Sequence, residues 1–152
     1  MQCMGHAVLH FERTIDSSHQ IPGHPGKCAR LHGHTYRFQV WVSGPVDAET
    51  GMLVDFYDLK QLIDAWDHRH LNDEVEFVPT AELLAQEMRR RILGATIARI
   101  GPARAEQVGV LLRLWETPSG YAQVGWLTRD PQAPGAAVTE LEALPELAVS
   151  GA

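Results

Sequence analysis

The chain is poor in cysteine. Of its 152 residues only Cys3 and Cys28 are cysteines, too few for the disulfide framework that holds small secreted domains together. Cations are scarce too. Thirteen Lys and Arg stand against 19 Asp and Glu, a formal net charge of −6. That balance argues against general nucleic-acid binding, which draws most of its affinity from clustered positive charge, but it leaves room for a local anion site. No apolar run approaches the ~20 residues of a membrane span. The N-terminal MQCMGHAVLH lacks the basic cluster and apolar core of a signal peptide. The expectation is a cytoplasmic protein that neither crosses a membrane nor binds nucleic acid.

What is present describes one globular domain. Hydrophobic residues make up 45% and charged residues 21%, close to the globular average, and the length suits a single domain. Residues 8–19 alternate, with Leu9, Phe11, Ile15, Ser17 and His19 on one parity and Arg13 the only charge among them. A period of two predicts a strand. Residues 20–30 (QIPGHPGKCAR) are loop-like in their proline and glycine. Residues 32–42 alternate again, with His32, His34, Tyr36, Phe38, Val40 and Val42 on one face. The segment GPVDAETG is expected to turn the chain, and residues 52–56 to run extended. Leu59, Leu62, Ile63 and Trp66 then recur at helical spacing within a helix over 57–66. A second helix opens at Pro79-Thr80, with Thr80 as N-cap, Glu82 in its first turn, and a buried stripe of Ala81, Leu84, Ala85, Met88 and Ile92. Residues 94–107 read as irregular. Two strands follow, over 108–116 and 121–127, joined by the turn Pro118-Ser119-Gly120. From residue 128 the prolines and small residues suggest a loosely ordered tail. The reading is therefore a single domain over 1–127 and a tail over 128–152. Its order, ββααββ, predicts an α+β fold with a four-stranded antiparallel sheet and two helices on one face.

Eight histidines are the unusual feature, since imidazole is the commonest metal ligand. His32 and His34 lie two apart on a strand, so both rings share a face. His19 ends the neighbouring strand. Three neutral imidazoles suit an open, catalytic Zn²⁺ site; the plainer reading is a polar strand start, and spacing alone does not choose between them. Cys28 sits beside Lys27 and near Arg30, cations that favour a thiolate, although a lone cysteine also serves as a small inert side chain. Asp67-His68 forms a potential acid/base pair in which the carboxylate orients the imidazole, yet such pairs are common in loops that end helices. Glu116 continues the apolar parity of Val108, Val110, Leu112 and Leu114. A carboxylate there either grips a ligand that offers two adjacent N–H groups or marks a strand end that has reached water.

Taken together, these residues resemble the 6-pyruvoyl-tetrahydropterin synthase / 6-carboxytetrahydropterin synthase family. The stretches that carry the likeness are SSH (17–19), CARLHGH (28–34), GMLVDF (51–56), DHRHLN (67–72), PTAE (79–82) and WET (115–117), in family order. The resemblance implies a tunnelling fold whose subunits join their sheets into a barrel, usually a homohexamer of two stacked trimers with active sites between subunits. It implies Zn²⁺ on His19, His32 and His34, and the small-molecule substrate 7,8-dihydroneopterin triphosphate, its pterin held by Glu116 with Thr80 and Glu82 nearby. Cys28 is then the acid or base acting on the substrate side chain, with Asp67 and His68 as the partner relay.

The compact CARLHGH string looks like the bacterial-type branch, which makes 6-carboxy-5,6,7,8-tetrahydropterin, acetaldehyde and triphosphate on the way to queuosine and other 7-deazapurines. The alternatives are the 6-pyruvoyl-tetrahydropterin branch, which eliminates triphosphate, and a non-catalytic zinc- or pterin-binding paralogue. An unrelated zinc hydrolase is a further option, but it leaves Glu116 and the relay without a shared purpose. Three features depart from the family pattern: a first helix about one turn shorter, Trp66 where leucine usually precedes Asp-His, and a longer tail.

Overall fold

The structure is a computed structural model and describes residues 1–132 and 138–139. Four long antiparallel strands form the sheet: β1 (Cys3–His19), β2 (His32–Asp47), β3 (Gly109–Thr117) and β4 (Gly120–Thr128), in that spatial order. Between β2 and β3 lie α1 (Phe56–Asp64), α2 (Leu71–Glu74) and α3 (Ala81–Ile100). A two-residue strand, β5 (Val138–Thr139), pairs with β4 through Leu127↔Thr139 and Thr128↔Val138. The α+β architecture and the ββααββ order of the long elements match the sequence reading.

Alternation explains how the layers join. Phe11 and Ile15 of β1, Tyr36, Phe38, Val40 and Val42 of β2, and Val110, Leu112 and Leu114 of β3 are buried on one face. There they form a single core with Leu59 and Ile63 of α1 and Leu84, Ala85, Met88 and Ile92 of α3. Arg13 shares that parity but reaches the rim, where its guanidinium donates to Asp64 at 2.6 and 2.7 Å. Side chains start both long helices: the Asp55 carboxylate accepts from the Tyr57 N–H at 2.8 Å, and the Thr80 hydroxyl accepts from the Leu83 N–H at 3.3 Å. Such caps satisfy backbone donors that have no intrahelical partner.

The boundaries differ in places. β1 begins at Cys3 rather than residue 8. β2 runs through Gly44 and Pro45, pairing them with Ala7 and His6, so the turn is confined to the residues after Asp47. At Gly44 the strand is closely covered by Leu53, whose Cδ1 would lie 2.8 Å from a Cβ placed there. Residues 52–56 form no strand, although Leu53 and Val54 are buried. α3 continues to Ile100, burying Thr96 and Ile100, and a 3₁₀ helix, Pro102–Gln107, completes the stretch read as irregular. Of the tail, β5 was unexpected, and the rest of the reading for 133–152 lies outside the described residues.

Candidate active site

β1 ends and β2 begins at the same end of the sheet, in a register that sets His19 opposite His32 and Ser17 opposite His34. The parity that buries Ile15 and Tyr36 therefore turns three imidazoles toward one point. Ring nitrogens of His19, His32 and His34 all lie within 4.8 Å of one another. His19 Nδ1 lies 2.8 Å from the Pro79 carbonyl oxygen, and His32 Nδ1 lies 2.7 Å from that of Arg30. Carbonyls only accept, so each Nδ1 carries the proton, and in the neutral ring each Nε2 is a bare lone pair. This tautomer follows from the hydrogen-bond network. Burial disfavours the protonated form of both His19 and His34, outweighing the pull of the Glu116 charge.

The two bare Nε2 atoms of His19 and His32 lie 2.9 Å apart. Glu116 Oε1 sits 3.3 Å from His19 Nε2 and 3.6 Å from His34 Nε2. Lone pairs and a carboxylate converging at these distances repel one another unless a cation shares them. The donor set therefore fits a metal ion, and its nitrogen content suits Zn²⁺. The backbone carbonyls of Pro79 and Arg30 supply the outer hydrogen bonds that orient ligating histidines. Tyr36 lies behind the cluster, its ring 5.5 Å from that of His34 and 5.9 Å from that of His19. Burial, helped by the negative charge of Glu116, holds its phenol protonated well above the usual range.

The second group is fastened to the same strand end. The segment after α1 runs alongside β1: the Ser17 hydroxyl donates to the Trp66 carbonyl, the His68 N–H donates to the Asp16 carbonyl at 2.7 Å, and the Ser18 N–H donates to the Arg69 carbonyl at 3.0 Å. Asn72 completes the attachment, exchanging two 2.9 Å side-chain hydrogen bonds with the Gln20 backbone. Asp67 accepts from the Asp16 N–H at 2.9 Å and lies 3.0 Å from His68 Nδ1. The Asp16 N–H, then the His68 ring, keep this carboxyl ionised below its ordinary range. His68 has φ +56°, a conformation rare for a residue with a Cβ, and its side chain is 79% exposed.

Two grooves meet here. One, of about 550 Å³, is lined by Asp16, Ser18, His34, His68, Arg69 and His70 among others. The other, of about 520 Å³, is lined by Thr14, His34, Arg37, Trp115, Glu116 and Thr117 among others. Gly33, His34 and Thr35 line both grooves. The structure thus brings together His19, His32, His34 and Glu116, and sets Asp67-His68 beside them.

Cys28 is not among the residues lining either groove; it is half-buried in the 3₁₀ turn Lys27–Ala29. Thr80 caps α3 directly after Pro79, and Glu82 is exposed on the first turn of that helix. His24 is exposed in the loop, accepting from the Gly26 N–H. His70 is the addition that sequence reading left unassigned. It lines the first groove with its Nδ1 3.0 Å from the Ser18 hydroxyl. The signal for it was the pairing of SSH with DHRH, which only the backbone bridge between Ser18 and His70 reveals.

Comparison with known proteins agrees with this arrangement. The family described as 6-pyruvoyl tetrahydropterin synthase matches residues 8–125. A 6-carboxy-5,6,7,8-tetrahydropterin synthase from Haemophilus influenzae is 34% identical over 132 residues, covering 74% of this chain and 94% of its own length. One from Bacillus subtilis is 31% identical over 122 residues, covering 74% of this chain and 81% of its own. Among solved structures, the 6-pyruvoyl tetrahydropterin synthase of Caenorhabditis elegans covers 82% of this chain and 99% of its own, with TM-score 0.61 at 24% identity. That of Plasmodium falciparum covers 80% and 98%, with TM-score 0.57 at 18% identity. At such identities the likeness speaks for the fold, which is the tunnelling fold expected from the sequence.

Proposed function

The chain belongs to the 6-pyruvoyl tetrahydropterin synthase family, and from that premise we propose that it is a zinc-dependent 6-carboxy-5,6,7,8-tetrahydropterin synthase. It would convert 7,8-dihydroneopterin triphosphate to 6-carboxytetrahydropterin, acetaldehyde and triphosphate, a lyase reaction on the route to queuosine. The observation that carries the reading is the convergence of bare imidazole nitrogens and the Glu116 carboxylate at the sheet end, beside the Asp67-His68 pair. The names of the curated relatives favour the 6-carboxy branch.

In this proposal His19, His32 and His34 hold the metal. When bound, Zn²⁺ supplies Lewis acidity toward the oxygens of the substrate side chain. Glu116 reaches into the second groove and accepts two N–H donors from the pterin edge, a charge-assisted and directional pairing. Trp115 and Arg37, the guanidinium 4.7 Å from the ring centroid, line the same groove. His68 is free to turn toward substrate while Asp67 fixes its Nδ1–H, the arrangement of a proton relay. Cys28 acts as the complementary acid or base. Its place outside both grooves is compatible with a site completed by a neighbouring subunit, as are the exposure of His68 and the open edge of β1. Assembly as a homohexamer of two trimers and a cytoplasmic setting belong to the same proposal. Thr80 and Glu82 remain proposed pterin neighbours, and residues 1–127 the proposed catalytic domain.

The test is turnover of 7,8-dihydroneopterin triphosphate before and after chelation. The expected result is loss of activity on chelation and recovery on adding Zn²⁺. Activity indifferent to chelation would overturn the metal reading, and substrate bound without turnover would favour a binding paralogue.

A further inference from the structure

On the function proposed above, the substrate has its pterin at one end, a short side chain in the middle and a triphosphate at the other end. Glu116 lines one of the two grooves and not the other. Gly33, His34 and Thr35 form the seam that both grooves share, and His34 belongs to the histidine cluster. With the pterin edge on Glu116 and the side-chain oxygens at the histidines, the triphosphate extends across the seam into the other groove, of about 550 Å³. Other cations near the site are engaged or lie outside it. Arg37 of the Glu116 groove is stacked on Trp115 and lies 3.7 Å from Glu12. Lys27 and Arg30 line neither groove.

We propose, resting on that function, that Arg69 and His70 form the subsite for the triphosphate end of the substrate. Both line this groove, and the end of β1 holds them there. The Ser18 N–H donates to the Arg69 carbonyl at 3.0 Å, and a backbone bridge pairs Ser18 with His70. The Arg69 side chain is 62% exposed; among the described residues its guanidinium makes no hydrogen bond and approaches Glu74 only to 3.9 Å. A pair so exposed and so long contributes little, which leaves the planar fork of N–H donors available to phosphoryl oxygens, the anions it fits best. His70 is half-buried, with its Nδ1 3.0 Å from the Ser18 hydroxyl. When that hydroxyl donates to Nδ1, the neutral ring carries its proton on Nε2, a donor with no partner among the described residues. The acids nearby are turned to donors of the chain itself. Asp16, which lines the groove, accepts from the Thr35 hydroxyl at 2.5 Å. Asp67 accepts from the Asp16 N–H at 2.9 Å and lies 3.0 Å from the His68 ring. The groove thus offers a charged clamp and a fixed imidazole donor, a local anion site in a chain of net charge −6.

The test is calorimetry on the zinc-loaded full chain with the two halves of the substrate as separate probes, inorganic triphosphate and phosphate-free 7,8-dihydroneopterin. Arg69→Gln should weaken triphosphate binding at least about tenfold, the scale of a charge-assisted hydrogen bond, and His70→Leu at least about threefold, that of a neutral one. Dihydroneopterin binding, zinc content and far-ultraviolet circular dichroism should stay at the native level in both. Arg69→Lys, which keeps the charge, should recover part of the loss. Glu116→Gln should give the converse pattern, with dihydroneopterin weakened and triphosphate unaffected. Triphosphate affinity unchanged in both groove variants, or no triphosphate binding by the native chain, would overturn the subsite while dihydroneopterin binding upheld the pterin reading. Equal weakening of both probes would make Arg69 and His70 structural and overturn the subsite as well. Triphosphate binding lost in the variants of a chain that never binds dihydroneopterin would uphold the anion subsite and overturn the pterin reading instead.

Discussion

Glu116 Oε1 lies 3.3 Å from a histidine nitrogen that has a lone pair rather than a proton. That single contact separates two roles. If the carboxylate grips the pterin, Glu116→Gln should weaken pterin binding at least about tenfold, since charge-assisted hydrogen bonds contribute roughly 1.5–3 kcal/mol, with metal content unchanged. If it is instead a fourth metal ligand, the variant should lose metal and keep its pterin affinity, and the substrate role falls. Cys28→Ala provides the contrast. It should retain zinc and assembly while turnover disappears, and unchanged turnover would remove Cys28 from the reaction. Elemental analysis, calorimetry and a steady-state assay on the two variants read all of these outcomes. The histidine trio was legible in the sequence because strand parity is strict: positions two apart share a face. The convergence of Glu116 on it was not, because parity says which face a residue occupies but not how strand ends come together. The position of Cys28 was equally beyond reach, since the loop over 20–30 has no period to read.

At the scale of elements, α3 shows where local rules succeed and where they stop. The cap at Thr80 and, of the predicted stripe, Leu84, Ala85, Met88 and Ile92 were readable from spacing and are observed, whereas Ala81 in the first turn is only half-buried. The extension to Ile100 was hidden, because Gly94, Thr96 and small residues weaken the pattern, and burial against the sheet decides the matter instead. Glu87 stabilises the exposed side of this helix. Arg90, and then Arg91, donate to its carboxylate at distances of 2.7–3.0 Å. The Arg90 hydrogen bonds, opposed by partial burial and helped by that of Arg91, lower its pKa to about 2 from 4.5. A depressed carboxylate contributes stability above its unfolded pKa and loses it as pH falls through the folded value. The helix should therefore lose this contribution between pH 4.5 and about 2. Arg90 is largely solvent-exposed, so screening holds the effect to about 1 kcal/mol. Glu87→Gln should lower the thermal midpoint at pH 7 and flatten the acid limb over that window. An unaltered limb would mean that the pair contributes nothing.

The whole molecule has an end where the histidines and Glu116 converge and an open sheet edge. The attachment of residues 66–72 along β1 holds Asp67 and His68 beside the trihistidine cluster, so a strand end and a loop line one groove. β1 is the edge strand of the sheet; residues 68–70 flank its last residues toward the site, and the edge before Asp16 is open among the described residues, the kind of edge that invites pairing with another chain. Native mass spectrometry should report a hexamer, and a lone protomer at working concentration would contradict the proposed assembly. At this scale the sequence was most informative: the order of six short motifs, each weak alone, agrees with the fold and with the family. It said least about the face opposite the helices, because alternation marks Trp41, Arg113 and Trp115 as outward-facing without showing that they are buried.

The account rests most heavily on the identity of the reaction. Mass spectrometry of the products from zinc-loaded protein and 7,8-dihydroneopterin triphosphate tests it directly. The prediction is 6-carboxytetrahydropterin together with acetaldehyde and triphosphate. Accumulation of 6-pyruvoyl-tetrahydropterin instead, with no acetaldehyde, would contradict it.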